Sequence, residues 1–149
     1  MTVALTEAIQ MTLRDLAREE VVTADPDTPA TDLADAMREE NVGSVVITED
    51  REPVGLVTDR DVAMELCEEG VDPAAMTARD IMTEDLFTVE VDAGVYEAIR
   101  KTGEANVRRV PVVDDGELWG IVTLDDFFVL LAAELGELSS VVQSESPPY

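Results

Sequence analysis

The chain repeats itself. Sliding the sequence by 65 positions lays Thr12–Leu66 on Thr77–Leu131 without a gap, and about three positions in ten are identical. "TLRDLAREEVVT" meets "TARDIMTEDLFT", "ENVGSVVITED" meets "ANVRRVPVVDD", and "GLVTDRD" meets "GIVTLDD". A register held over 55 residues requires both copies to fold alike, so the architecture must be built from two equal units.

Each copy predicts the same run of elements. A helical turn (Leu13–Ala17, Ala78–Met82) precedes a brief strand (Val21–Thr23, Phe87–Val89). An amphipathic helix follows. Ala30, Leu33, Ala34 and Met37 share one face of it in the first copy, and Val95, Ala98, Ile99 and Thr102 in the second. Then come two strands joined by a short polar turn, "EDRE" or "DDGE": Ser44–Thr48 with Pro53–Val57, and Arg109–Val113 with Leu118–Val122. A last helix starts near Asp59 and Leu124. The fold class is therefore α+β, with two β-α-β-β-α repeats related by a pseudo-twofold axis and packed sheet to sheet. Neither small sheet could bury both of its faces alone. The expected boundaries are an extension at 1–11, repeats at 12–70 and 77–135, a linker at 71–76 and a tail at 136–149. Gly70 and Pro73 stop the helix before the linker. Residues 1–11 are compatible with a helical extension. The polar tail is expected to fray, with Leu138, Val141 and Val142 able to dock on a partner.

Charge narrows the function. The chain carries 34 acidic and 10 basic residues, a net charge of −24, no histidine, and Lys101 as its one lysine. Such a surface repels nucleic acid and anionic membranes, so neither is expected as a partner. It also repels itself in dilute buffer. At about 1 M salt the Debye length is ~3 Å and that repulsion is screened. The composition resembles that of proteins from salt-accumulating halophiles, chiefly because lysine is almost absent. Apolar residues make up 46% of the chain, enough for a packed interior. No apolar run approaches the ~20 residues that cross a bilayer, and "MTVALTEAIQ" lacks the basic leader of a secretory signal. A soluble, cytoplasmic protein is expected. The single cysteine, Cys67, excludes an internal disulfide. It reads as a packing residue late in a helix rather than a reactive thiol.

Without histidine there is no Ser-His, Cys-His or zinc constellation. The acidic clusters "MREEN", "ITEDREP" and "MTEDLFTVEVD" lack the spacing and glycine of a calcium loop and read as solvated surface. Asp114–Asp115 and Asp125–Asp126 are sequence neighbours that do not converge on one substrate atom. No enzyme, metal site or covalent cofactor is expected. Trp119 reads as strand packing or a dimer contact.

The repeated Thr-x-x-Asp supports two readings. Thr58 with Asp61, and Thr123 with Asp126, stand where a strand meets a helix. A threonine N-cap with an acid three positions on is a variant of the capping box, stabilising the helix by about 1 kcal/mol. The same pattern also suits a ligand. Gly55 and Gly120 permit close approach to the backbone. A helix N-terminus offers N–H groups and positive dipole to a phosphate. A carboxylate accepts from the two hydroxyls of a ribose, as in dinucleotide folds.

The doubled unit, with "GLVTDRD" and "GIVTLDD" at equivalent places, resembles a tandem pair of cystathionine-β-synthase (CBS) domains, a Bateman module, over about residues 12–135. "VRRVPVVDDGELWGIVTLDD" follows the family pattern closely, whereas the first repeat has Val46 where the second has Pro111. The resemblance implies a dimeric regulatory module that binds an adenosine-containing ligand such as AMP, ADP, ATP or S-adenosylmethionine. It also implies two clefts between the repeats. In the first, Asp61 would bind the ribose hydroxyls and Thr58 a ribose or phosphate oxygen. Gly55 and Leu56 would line the mouth, with Leu86 and Phe87 beside the base. Arg108 and Arg109 would reach toward phosphate, with Pro111 in the same set. In the second cleft, Thr123 and Asp126 would face Val21 and Val22, with Gly43 and Ser44 where the arginines stand in the first.

A phosphate entering so acidic a protein needs local positive charge, and arginine supplies it in paired, charge-assisted bonds. The first cleft is therefore expected to hold a nucleotide phosphate more tightly than the second. Neighbouring strand residues point to opposite faces, which is expected to limit the contact to one of Arg108 and Arg109. Arg60 reads as an exposed first-turn residue. The expected function is a stand-alone adenine-nucleotide-binding regulator acting on an effector in trans. The alternatives are a dimerisation scaffold with empty clefts and an S-adenosylmethionine-type sensor.

Overall fold

The computed structural model describes residues 11–145. Its elements run α1 (Leu13–Leu16), β1 (Thr23–Ala24), α2 (Ala30–Glu40), β2 (Ser44–Glu49), β3 (Glu52–Thr58), α3 (Asp59–Leu66), α4 (Ala78–Ile81), β4 (Val89–Glu90), α5 (Val95–Ala105), β5 (Arg109–Asp114), β6 (Glu117–Thr123) and α6 (Leu124–Glu145). They form two three-stranded sheets, β1-β2-β3 and β4-β5-β6. In each, a short parallel strand flanks an antiparallel hairpin, and the registers correspond: Val45 faces Val57 as Val110 faces Val122. The fold class is α+β, as the sequence predicts.

Local chemistry accounts for the punctuation. Both hairpins close with two residues at positive φ, Asp50 and Arg51 (48° and 69°) and Asp115 and Gly116 (52° and 82°). That turn matches the twist of the flanking strands. Helices α2 and α5 each end on a left-handed asparagine, Asn41 and Asn106, a residue that tolerates this region. From α2, Ala30, Leu33 and Met37 pack on Val45, Ile47 and Val57. From α5, Val95 and Ala98 pack on Val110, Val112 and Val122. Thr102 is buried on the same face, and its hydroxyl donates to the Ala98 carbonyl at 2.7 Å, so no polar atom is stranded.

Three expectations need correction. The first strand of each sheet lies further along the chain than expected, at Thr23–Ala24 and Val89–Glu90, because Thr23 pairs with Val46 and Val89 with Val112. Val21, Val22 and Phe87 are left on the approach to each sheet. The tail does not fray at 136, because α6 continues for 22 residues to Glu145; residues 146–149, like 1–10 of the expected extension, lie outside the described residues. Cys67 is exposed just past α3 rather than packed.

Helix α6 also alters the reading of apolar runs. Its Leu124–Ser144 span is long and apolar enough to cross a bilayer by length and composition, with mean hydropathy 1.3. Glu134 and Glu137 interrupt the run, which hides it from a search for unbroken apolar sequence. Phe127 is buried in the second core, whereas Phe128, Val129, Leu135, Leu138 and Val141 are exposed.

The most consequential feature is an exchange between the halves. Helix α1 opens the first sequence copy but packs on the second: buried Leu13 sits among Val91, Val95 and Val110. The Leu13 and Arg14 amides donate to the Ala93 and Val91 carbonyls at 3.1 and 3.0 Å. Helix α4 opens the second copy but packs on the first, where Ala78 and Ile81 join Leu33, Val45 and Val57. After each helix the chain forms a two-bond bridge to the opposite hairpin, Arg18 with Ile121 and Thr83 with Leu56. Each core is thus completed by a helix from the other sequence repeat.

Candidate functional site

Strand β3 ends and α3 begins at Thr58, whose extended backbone lets its side chain turn back on the helix. The Asp61 amide donates to Thr58 Oγ1 at 3.2 Å, and the Thr58 amide donates to Asp61 Oδ2 at 2.8 Å. The capping box is therefore formed, but it uses only one carboxylate oxygen. Oδ1 of Asp61 has no hydrogen-bond partner among the described residues.

Beside Thr58 lies a hollow of about 200 Å³ between the repeats. The first repeat contributes Leu56 and Thr58. The segment between α4 and β4 contributes Thr83, Asp85, Leu86 and Phe87, and the junction of α5 with β5 contributes Val107, Arg108 and Arg109. Six of the residues singled out from sequence meet here: Leu56, Thr58, Leu86, Phe87, Arg108 and Arg109. Both arginines line the hollow because Arg108 precedes β5, where strand alternation does not yet apply. The Arg109 guanidinium reaches across to the first repeat, where a Cβ on Gly43 would lie 2.8 Å from its Nη2. Gly43 is thus a seat for Arg109 as well as the counterpart of Arg108.

Other expected residues stand elsewhere. Gly55 is buried under Met82, which a Cβ at this position would strike, and Gly120 lies under the Arg18 carbonyl, 2.6 Å from where its Cβ would be. These two glycines admit the exchanged segments rather than a ligand. Pro111 is buried on β5 opposite Ile121 and does not line the hollow. Asp61 is half-buried behind Thr58, and Ser44 faces Thr58 across the hairpin. Sequence reasoning missed Thr83, Asp85 and Val107. Thr83 stands at the position equivalent to Arg18, 65 residues on, and nothing in the sequence marks either residue as standing beside a motif.

The second motif is arranged differently. Val21 and Val22 line a hollow of about 420 Å³ with Glu20, Glu40 and Val42. Thr123 lines another, of about 230 Å³, with Arg108, Arg109, Leu124, Asp125 and Phe128. The expected partners Val21, Val22 and Thr123 therefore do not share one of these spaces. Asp126 is buried, and Arg18 Nη2 donates to its Oδ1 at 2.9 Å. That arginine was absent from the sequence reading of this cleft.

Charge gathers at the junction of the repeats, where Arg108 and Arg109 line both the hollow beside Thr58 and the one beside Thr123, so the two arginines do not divide the motifs as the sequence suggested. Arg14, Arg18, Arg38, Arg51, Arg79, Arg100 and Lys101 each have a carboxylate oxygen within 3.9 Å. Among the described residues the cations without such a pair are Arg60, Arg108 and Arg109. Two of them line the hollow beside Thr58 and the third is on the first turn of α3, two residues after Thr58. In a protein with 34 acidic residues, these guanidiniums have no close ion pair among the described residues, with Asp85 and Asp125 among the other groups lining their hollows. By contrast, the hollow of about 280 Å³ between α5 and α6 presents Glu97 and Glu134 and no cation.

The model of the CBS domain matches residues 13–68 and 78–133. The chain belongs to the CBS-domain family. It is a tandem CBS pair, a regulatory module, and its two matched segments are the two sequence repeats. Among curated relatives, an uncharacterized protein of Methanopyrus kandleri is 42% identical over 114 residues, which are 75% of this chain and 58% of that protein. The chain thus spans little more than half of that relative. Hypoxic response protein 1 of Mycobacterium tuberculosis is 33% identical over 116 residues, 77% of this chain and 81% of the relative.

Among solved structures, the CBS domain pair of protein MJ0100, in complex with 5′-methylthioadenosine and S-adenosyl-L-methionine, superposes with a TM-score of 0.74 at 26% identity, covering 84% of this chain and 98% of that one. Hypoxic Response Protein I with two coordinated zinc ions gives 0.70 at 31% identity, covering 80% and 98%. The present chain has no histidine, and among its described residues no group of three metal-ligating side chains comes together.

Proposed function

We propose that this CBS pair binds an adenosine-containing ligand of the AMP, ADP or ATP class in the hollow beside Thr58, and relays occupancy to an effector protein in trans. One observation carries the reading: Arg108 and Arg109, without close carboxylate partners among the described residues, line a space built from both repeats, with Arg60 on the adjoining first turn of α3. Phosphate suits two guanidiniums, which bind its oxygens in pairs. Leu56, Leu86, Phe87 and Val107 supply apolar walls for a base. The spare oxygen of Asp61 is left to a ribose hydroxyl. Because both repeats contribute, a ligand that prefers one arrangement of the halves shifts the population toward it. The exposed apolar face of α6 is the surface we assign to self-association.

A second reading follows from the ligands of MJ0100. S-adenosylmethionine and methylthioadenosine carry no phosphate, and the sulfonium of the former is a cation facing two arginines. Calorimetric titrations at about 1 M salt, where self-repulsion is screened, separate the two. AMP or ATP should bind wild-type protein, and Arg109→Ala should weaken them about tenfold, or 1.4 kcal/mol. Tight binding of S-adenosylmethionine with no heat from AMP or ATP would replace the nucleotide reading. No heat from any of these ligands would favour a dimerisation scaffold with empty clefts.

A further inference from the structure

The two motif carboxylates differ in what already occupies them. Oδ2 of Asp61 accepts one amide, and its other oxygen is unengaged among the described residues. On Asp126, Oδ2 accepts from both the amide and the hydroxyl of Thr123, at 2.8 and 2.9 Å, and Oδ1 accepts from Arg18 at 2.9 Å. The Asp126 side chain is 10% exposed. A sugar diol donates two hydrogen bonds to a carboxylate; here one oxygen serves the cap and the other holds a guanidinium.

Arg18 is held in place by its own backbone. Its amide donates to the Ile121 carbonyl at 3.0 Å, and its carbonyl accepts from the Ile121 amide at 2.9 Å. Gly120 permits that approach, since any Cβ would lie 2.6 Å from the Arg18 oxygen. The equivalent bridge in the other half brings Thr83 to Leu56, and Thr83 lines the first hollow without charge. The same scaffold thus sets a neutral residue beside one motif and a cation on the carboxylate of the other.

We propose that Arg18 is a built-in occupant of the second motif's carboxylate, Asp126. Its guanidinium takes the carboxylate oxygen that a ribose diol would use, so the CBS pair holds one adenosine nucleotide per chain, not two. The inference rests on the nucleotide reading of the first cleft. The opposite role would have Arg18, whose side chain is 71% exposed, swing onto a ligand phosphate and assist binding. The two roles predict opposite results for Arg18→Thr, which installs the residue found at the equivalent position.

The test is calorimetric titration with 5′-AMP of the wild-type chain, Arg18→Thr, Asp61→Ala and the double variant. Wild type should bind one AMP per chain and Arg18→Thr two. Asp61→Ala should bind none, and the double variant one. Two AMP per wild-type chain, or a single site of unchanged or weaker affinity in Arg18→Thr, overturns the inference. If wild type binds no AMP, the first-cleft reading has failed, yet one new site in Arg18→Thr still supports an occupant role and none overturns it. Arg18→Gln, which removes the charge and ends two bonds short of the guanidinium nitrogens, gives the same readout should the threonine variant fold poorly.

Discussion

Thr58 and Asp61 are joined by the same capping box as Thr123 and Asp126, but the two aspartates stand in different surroundings. Asp61 is half-buried and uses one oxygen. Asp126 is buried and uses both, with Arg18 on the second. Truncation should separate them. Asp61→Ala loses mainly a cap contact and should cost about 1 kcal/mol. Asp126→Ala also removes a partly buried, charge-assisted bond and should cost about 2 kcal/mol or more. Urea unfolding of both variants at high salt checks this, and equal losses would mean that Arg18 contributes nothing to holding Asp126. Removal of AMP binding by Asp61→Ala, beyond what its stability loss explains, would distinguish a ligand residue from a cap.

At the scale of elements, the glycine before each motif shows how a sequence signal can be real and its cause misread. "GLVT" and "GIVT" suggested room for a ligand, yet both glycines make room for protein. Their neighbours differ, so their substitutions should differ too. At Gly55 the obstacle is the Met82 side chain, which is flexible. At Gly120 it is the Arg18 carbonyl, fixed by two backbone bonds to Ile121. Gly120→Ala should therefore cost about 2–3 kcal/mol and Gly55→Ala about 1 kcal/mol, within the usual range for overpacking. Thermal melts of the two variants give the comparison, and a larger loss at Gly55 would contradict it. Helices α2 and α5 and the two hairpins were legible because their periodicity and turn residues are local. The partner of α1 was not. "LRDL" and "ARDI" have the same apolar pattern, and either could complete either core. The site was legible where residues repeat or break the repeat, as with Thr58, Arg108 and Arg109. It was hidden where a backbone bridge decides which side chain faces a cleft, as with Thr83 and Arg18.

For the whole molecule, the exchange of α1 and α4 makes the two sequence repeats interdependent. Cut within the linker, residues 1–70 would keep α1 without its site among Val91, Val95 and Val110, and would lose Ala78 and Ile81 from their own core. Residues 71–149 would lose Leu13 and keep α4 without a seat. Each half would also leave a hairpin edge unpaired, at Leu56 or Ile121, where the bridging segment had bonded. A half of this size is marginal even with an intact core, so neither should fold alone as a monomer. Mixed at equal concentration in about 1 M salt, where like charges on the halves are screened, they should recover the circular dichroism and AMP binding of the intact chain. The equivalence of α1 and α4 adds a second expectation. Two copies of one half can lend each other their opening helix, so an isolated half should gain structure with concentration as it pairs with itself. Sedimentation and circular dichroism across a concentration series follow both events. A half that is folded and monomeric at every concentration would show that its own helix completes its core, and that the exchange between repeats is dispensable.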